Sequence, residues 1–175
     1  MSEPRIVMLD GENFADVESL NQLYCEVWKE PPWEEFFWTH EIVEKYIDDT
    51  RSKPNSIWLL IKTGEQLIGF ALGYEVDQVM MQEISGHSGL DHLFDNKRRV
   101  FYDAEVAVLT KHRRNGLGSK LILEKVRFAK QVGCQTIVVR TKAESAKIML
   151  TKLGFHDTMI SDGSDPERTY WQLEL

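Results

Sequence analysis

Lys111–Lys120 reads KHRRNGLGSK, and the fold turns on how this stretch is read. Four of its first five positions can carry positive charge, in a chain of 175 residues whose net charge is −7. Gly116 and Gly118 follow, one residue apart, and an apolar helical pattern begins at once. A helix start leaves N–H groups without partners, and its dipole favours negative charge. Glycines remove the Cβ atoms that would hold an anion away from those groups. Lys111, His112, Arg113 and Arg114 add a local positive field. The stretch therefore reads as an anion site, with a pyrophosphate as the expected ligand.

Two better-known phosphate motifs fail here. A P-loop needs glycine five residues before Gly118, and that position is Arg113. A dinucleotide fingerprint needs a third glycine where the chain has Leu121. What fits is RxxGxG, carried by Arg113, Gly116 and Gly118.

Working outward, VFYDAEVAVL before the stretch reads as a buried strand, Val100 to Leu109. After it, Leu117, Leu121, Ile122, Val126 and Ala129 form an apolar stripe at helical period that stops near Gly133. TIVVR is an apolar strand core. Thr141 and Glu144 read as a capping box for a helix whose buried face is Ala146, Met149, Leu150 and Leu153, with Gly154 after its end. Two final strands, 155–160 and 168–175, flank the turn SDGSDP.

On the other side, SIWLLIK and LIGFALGYE are strands joined through TGEQ as a hairpin. Ile6 to Leu9 reads as a first strand. Asp16 to Trp28 reads as a helix with Asp16 as N-cap, interrupted by Pro31 and Pro32. A second helix from about Thr39 carries Ile42, Val43, Tyr46 and Ile47 on one face. Residues 77–99 read as a long loop with one helical turn. Consecutive hairpins pair antiparallel, and the strand–helix–strand unit from Val100 to Arg140 places its strands parallel. The expected architecture is one α/β domain over 1–175. Its sheet is mixed, mostly antiparallel and six- to seven-stranded, with helices on both faces.

The bulk numbers exclude several classes. An acidic chain lacks the basic face of a general nucleic-acid binder. No apolar run approaches the roughly 20 residues of a membrane span. Cys25 and Cys134 lack CxxC spacing, so a reducing, cytoplasmic setting is the default. His87 and His92 lie five apart, a poor metal spacing, and no metal site is expected.

VAVLTKHRRNGLGSKL resembles the acetyl-CoA-binding motif of the GNAT-type N-acetyltransferase superfamily, [QR]xxGx[GA] between a strand and a helix. AESAKIMLTKLGF is similar to that family's next motif, a helix ending in LGF. The resemblance implies a role for each matched position. Val106, Ala107 and Val108 would pair their backbone with the pantetheine arm like an added strand. Arg113, Arg114, Asn115, Gly116, Leu117, Gly118 and Ser119 would wrap the pyrophosphate of acetyl-CoA. The backbone N–H of Val106 or of a near neighbour is the candidate donor to the oxyanion of acyl transfer.

Glu105, just before the pantetheine-pairing residues, is the candidate base, and Asp103 on the same face by strand alternation is the second. The alternative for Glu105 is a strand-surface residue or a salt-bridge partner. Many family members carry a tyrosine general acid where this chain has Leu150, and asparagine where it has Ala143. Tyr102 and Tyr170 are the aromatic residues that could substitute. Cys134 reads as inert.

KEPPWEEFFW, Lys29 to Trp38, falls where such proteins wall the acceptor site. Trp33 and Glu34 are the candidate contacts to an amine, by cation–π and ionic attraction. Packing beneath the helix pair is the alternative. The implied activity is transfer of an acetyl group from acetyl-CoA to a small-molecule or protein amine, with homodimerisation compatible. The competing reading is an acyl-CoA-binding or sensing module that lost turnover, which Leu150 and Ala143 favour.

Overall fold

The computed structural model describes residues 3–9, 13–31, 33–86, 89–163 and 165–175. Pro32, His87 and Ser164, each named above, fall outside them. Seven strands form one mixed sheet: β1 (Arg5–Met8), β2 (Ile57–Thr63), β3 (Gln66–Val76), β4 (Val100–Val108), β5 (Thr136–Thr141), β6 (His156–Ser161) and β7 (Thr169–Glu174). Their order is β1-β2-β3-β4-β5-β7-β6. β1 pairs antiparallel with β2, and β5 with β7. The strand–helix–strand unit pairs β4 and β5 in parallel, joining Val100–Asp103 to Thr136–Val139. β4 then runs on for five residues past the last of these pairs.

By its contacts the chain divides into two compact units: Met1–Leu72 with Glu105–Ile122, and Gly73–Ala104 with Leu123–Leu175. In the first unit, α1 (Phe14–Val27) starts two residues earlier than the sequence suggests. Asn13 is its N-cap, accepting from the Asp16 N–H at 3.4 Å. Asp16 instead sits in the first turn, where a carboxylate favours the helix dipole, and pairs with Lys62 of β2. Leu20, Leu23, Tyr24 and Val27 form the buried stripe. α2 (His40–Arg51) is capped by Thr39, which accepts from the Ile42 N–H at 3.4 Å. Val43 and Ile47 are buried, whereas Ile42 is 44% exposed, so the apolar stripe is narrower than expected. The β2–β3 hairpin turns through Gly64 and Glu65.

In the second unit, α4 (Leu117–Gln131, shared with the first) and α5 (Glu144–Lys152) run to the glycines foreseen for their ends, Gly133 and Gly154. The stretch 77–99 departs from the loop expectation. Asp77 caps a two-turn helix, α3 (Gln78–Ser85), by accepting from the Met80 N–H at 2.8 Å, and Asp91–Lys97 forms 3₁₀ turns. Only Met81 and Ser85 of α3 are buried, too few for a visible periodicity. The capping box also fails. Thr141 is still extended, paired to Thr169, so α5 begins with Ala143 as N-cap and no side-chain bond. The Thr141 hydroxyl accepts from the Ala143 N–H at 3.2 Å instead. On α5, Leu150 is fully buried, while Ala146, Met149 and Leu153 are half-buried.

Candidate active site

β4 ends at Val108, and the Leu109 N–H is held by the Ile68 carbonyl at 2.9 Å. One 3₁₀ turn, Thr110–His112, follows. The chain then reverses through two residues in the left-handed region, Arg114 at φ 65° and Gly116 at φ 75°. The first helical bond of α4 runs from the Lys120 N–H to the Gly116 carbonyl at 3.0 Å. The N–H groups of Leu117, Gly118 and Ser119 precede it and have no carbonyl within the helix to bond. A Cβ on Gly116 would meet no heavy atom within 4 Å, so the approach over this turn is open. The donor set suits an anion: unpaired helix amides, a favourable dipole, and the exposed side chains of Lys111, Arg114 and Lys120. Among the described residues, no ion pair engages Arg114. Asn115 braces the turn, donating to the His112 carbonyl at 3.3 Å.

Arg113 behaves differently from its neighbours. Its Nε donates to the Val108 carbonyl at 2.8 Å, and its Nη2 pairs with Glu30, just past the end of α1. Its side chain is thus committed to protein acceptors.

Glu105 is half-buried, and its Oε1 accepts from two phenols. Tyr24 of α1 donates at 3.2 Å and Tyr46 of α2 at 3.0 Å. Burial first, and then the Glu105 carboxylate, hold the Tyr24 phenol well above the ordinary tyrosine range. It therefore remains a donor. Aromatic rings surround this group. Tyr24 stacks on Phe70 at 5.2 Å and meets Trp38 edge-on at 4.9 Å, and Trp38 lies 5.5 Å from Tyr46. Trp38 donates to Glu35 at 2.7 Å, and Glu35 also acts on Tyr24 through its charge. Trp33 packs edge-on against Trp28 at 5.7 Å and is half-buried. Glu34 is exposed, in the left-handed region at φ 51°. Of the two sequence candidates for the acceptor wall, Trp33 thus joins the aromatic cluster and Glu34 does not.

Asp103 has a different environment. It is 2% exposed and pairs with Lys125 of α4, itself fully buried. Its Oδ2 has no protein partner. Burial lifts its carboxyl above the usual aspartate range, while Lys125 pulls the other way. Glu105, by contrast, finds its partners on α1 and α2. Leu150 is buried, offering nothing polar. Tyr102 is buried edge-on to Tyr74, and Tyr170 is fully buried. Burial, with Glu75 beside it, pushes the Cys134 thiol to about 11, so it stays protonated at neutral pH. His92 is exposed, and among the described residues no group of His, Cys, Asp and Glu side chains is placed to hold a metal.

Sequence reasoning does not find Tyr24 and Tyr46 as site residues, and it places Glu30 only within the acceptor-wall stretch Lys29–Trp38, not against Arg113. Tyr46 falls on the apolar face of the second helix, and Tyr24 within the buried stripe of the first. Their hydroxyls were the available signal, since a buried tyrosine O–H needs a partner.

The chain is a mixed seven-stranded α/β sheet with a glycine-rich turn between strand β4 and helix α4. The sequence profile of the acetyltransferase (GNAT) family matches residues 17–155, and the chain belongs to that family. No curated protein matches the chain in sequence. Among solved structures, the fold is similar to the PaiA N-acetyltransferase of Thermoplasma acidophilum, solved in complex with coenzyme A. That match has a TM-score of 0.70 at 17% identity and covers 99% of each chain. Aminoglycoside 6'-acetyltransferase type Ii matches with a TM-score of 0.69 at 15% identity, over 97% of this chain and 96% of that one. The Drosophila melanogaster polyamine N-acetyltransferase, which forms N-acetylagmatine, matches with a TM-score of 0.70 at 12% identity. It covers 99% of this chain and all of its own. At such identities the likeness concerns the fold alone.

Proposed function

We propose that this protein transfers the acetyl group of acetyl-CoA to a primary amine, of a small molecule or a protein, by direct attack in a ternary complex. The observation that carries the reading is the open turn at Gly116, with three helix amides and Arg114 beside it. Acetyl-CoA, when bound, would supply a thioester carbonyl for attack by an amine, with the CoA thiolate as the leaving group. The amides of Leu117, Gly118 and Ser119 bind the diphosphate. The β4 backbone from Val106 to Val108 aligns the pantetheine arm, and the Val106 N–H is the candidate oxyanion donor. Glu105 receives the amine proton, directly or through water, while the phenols of Tyr24 and Tyr46 fix its carboxylate. The aromatic side chains around it, Trp38 and Tyr46 foremost, suit a cation before it loses that proton. Asp103 is better read as a structural partner of Lys125 than as a second base.

A cytoplasmic setting belongs to the same proposal, supported by two free buried thiols, Cys25 and Cys134. One observation favours a second reading, a coenzyme-binding module without efficient turnover: Leu150 is buried and apolar where a general acid would stand. Thiol release from acetyl-CoA across a panel of primary amines separates the two. Turnover is expected with at least one amine, and Glu105→Gln should lower kcat by about 10²–10⁴-fold with CoA affinity unchanged. Full turnover in Glu105→Gln rules out the base assigned here. No thiol release with any amine of the panel, alongside normal CoA binding, favours the binding module.

A further inference from the structure

Glu30 serves two partners on the turn between β4 and α4. Its Oε1 accepts from the Thr110 hydroxyl at 2.6 Å, and its Oε2 accepts from Arg113 Nη2. Arg113 reaches back in turn, its Nε donating to the Val108 carbonyl at 2.8 Å. One carboxylate therefore gathers the strand end, the 3₁₀ turn and the first residue of RxxGxG. The Arg113 and Glu30 side chains are 42% and 29% exposed, and a pair that wet adds little to global stability. Its effect is conformational: it selects one arrangement of a turn that also contains Arg114 in the left-handed region. Glu30 is itself anchored. Its N–H bonds the Val27 carbonyl at 3.3 Å, and its own carbonyl accepts from the Trp33 and Glu34 N–H groups at 3.1 and 3.2 Å.

We infer that Glu30 is a positioning residue for the coenzyme, holding Thr110 and Arg113 so that the amides of 117–119 are set before the diphosphate arrives. Affinity gained this way comes from avoided ordering rather than from contact. The inference rests on the coenzyme reading given above. It also gives the Arg113 side chain a role other than touching phosphate: it is a strut between Glu30 and Val108, and the main chain is left to meet the anion.

Calorimetric titration of the full chain with CoA tests this in the wild type, Glu30→Ala, Glu30→Gln, Thr110→Val and the Glu30→Ala/Thr110→Val double variant. Glu30→Ala should weaken CoA roughly tenfold, and Thr110→Val about threefold. The double variant should bind no more weakly than Glu30→Ala, because both changes remove the same bond. Glu30→Gln should recover part of the loss, since its amide oxygen still accepts from Thr110. Melting temperatures without CoA should stay close to wild type throughout, which separates positioning from a general structural role. Unchanged CoA affinity in folded Glu30→Ala, or additive losses in the double variant, would overturn the inference. If Glu30→Ala fails to fold, unchanged affinity in Thr110→Val overturns it equally. Wild-type protein that leaves CoA unbound overturns the coenzyme reading itself, and the inference with it.

Discussion

Asp103 and Glu105 stand two residues apart on β4, yet the two halves of the strand treat them differently. The first half, Val100–Asp103, is buried and laddered to β5, and its carboxylate is sealed against the Lys125 ammonium. The second half, Glu105–Val108, lies past the last residue of that ladder; Glu105 and Val106 are half-buried, Ala107 and Val108 buried, and the Glu105 carboxylate faces two phenols. A buried carboxylate paired with an ammonium is fixed in charge and geometry, which suits architecture. A half-exposed carboxylate that accepts from phenolic hydroxyls stays partly accessible to a ligand. One strand thus carries an anchor and, two residues on, a chemically available group.

The comparison breaks most visibly at its structural end. Lys125→Ala leaves Asp103 buried without its counter-charge and should cost about 3–5 kcal/mol, read as a lower urea midpoint. Replacing both partners by apolar residues, Asp103→Leu with Lys125→Met, should recover most of that loss, because neither buried charge is left alone. An unaffected Lys125→Ala would mean that the pair does not anchor the first half.

At the reactive end, Gly116→Ala should cost about 1–2 kcal/mol, since alanine resists the left-handed region there. Its Cβ meets nothing in the protein, so packing is spared. Its CoA affinity should nevertheless fall roughly tenfold, the weight of one charge-assisted bond. Intact affinity would place the diphosphate elsewhere.

The smallest effect is expected at Tyr46→Phe. One of the two donors to Glu105 Oε1 is lost while the ring packing on Trp38 and Trp58 survives. A three- to tenfold drop in kcat/KM is expected, on the order of one hydrogen bond. A drop as large as that of Glu105→Gln would move the essential proton transfer onto Tyr46 itself.

What the sequence made legible follows a physical line. The strands were readable because β-branched runs such as TIVVR and IWLLI have few other conformations. The glycine-rich turn was readable because Arg113, Gly116 and Gly118 lie within six residues and their chemistry is local. Short-range detail was less secure where two local signals competed. Asp16 and Thr141 both looked like caps, but Asn13 took the first role and the β5–β7 ladder kept Thr141 extended. The contacts that complete the candidate site were not readable at all. Glu30 meets Arg113 across 83 positions, and Tyr24 meets Glu105 across 81. No local periodicity encodes such pairings; the fold creates them. Asp103 shows the same limit, because strand alternation gave it a face but could not say that Lys125 would fill it.

The most direct test is an amide-resolved NMR titration of the chain with CoA. The account predicts saturable shifts centred on the N–H groups of residues 113–119, strongest at Leu117, Gly118 and Ser119. Saturable binding that leaves those amides unmoved, or no binding at millimolar CoA, would contradict it.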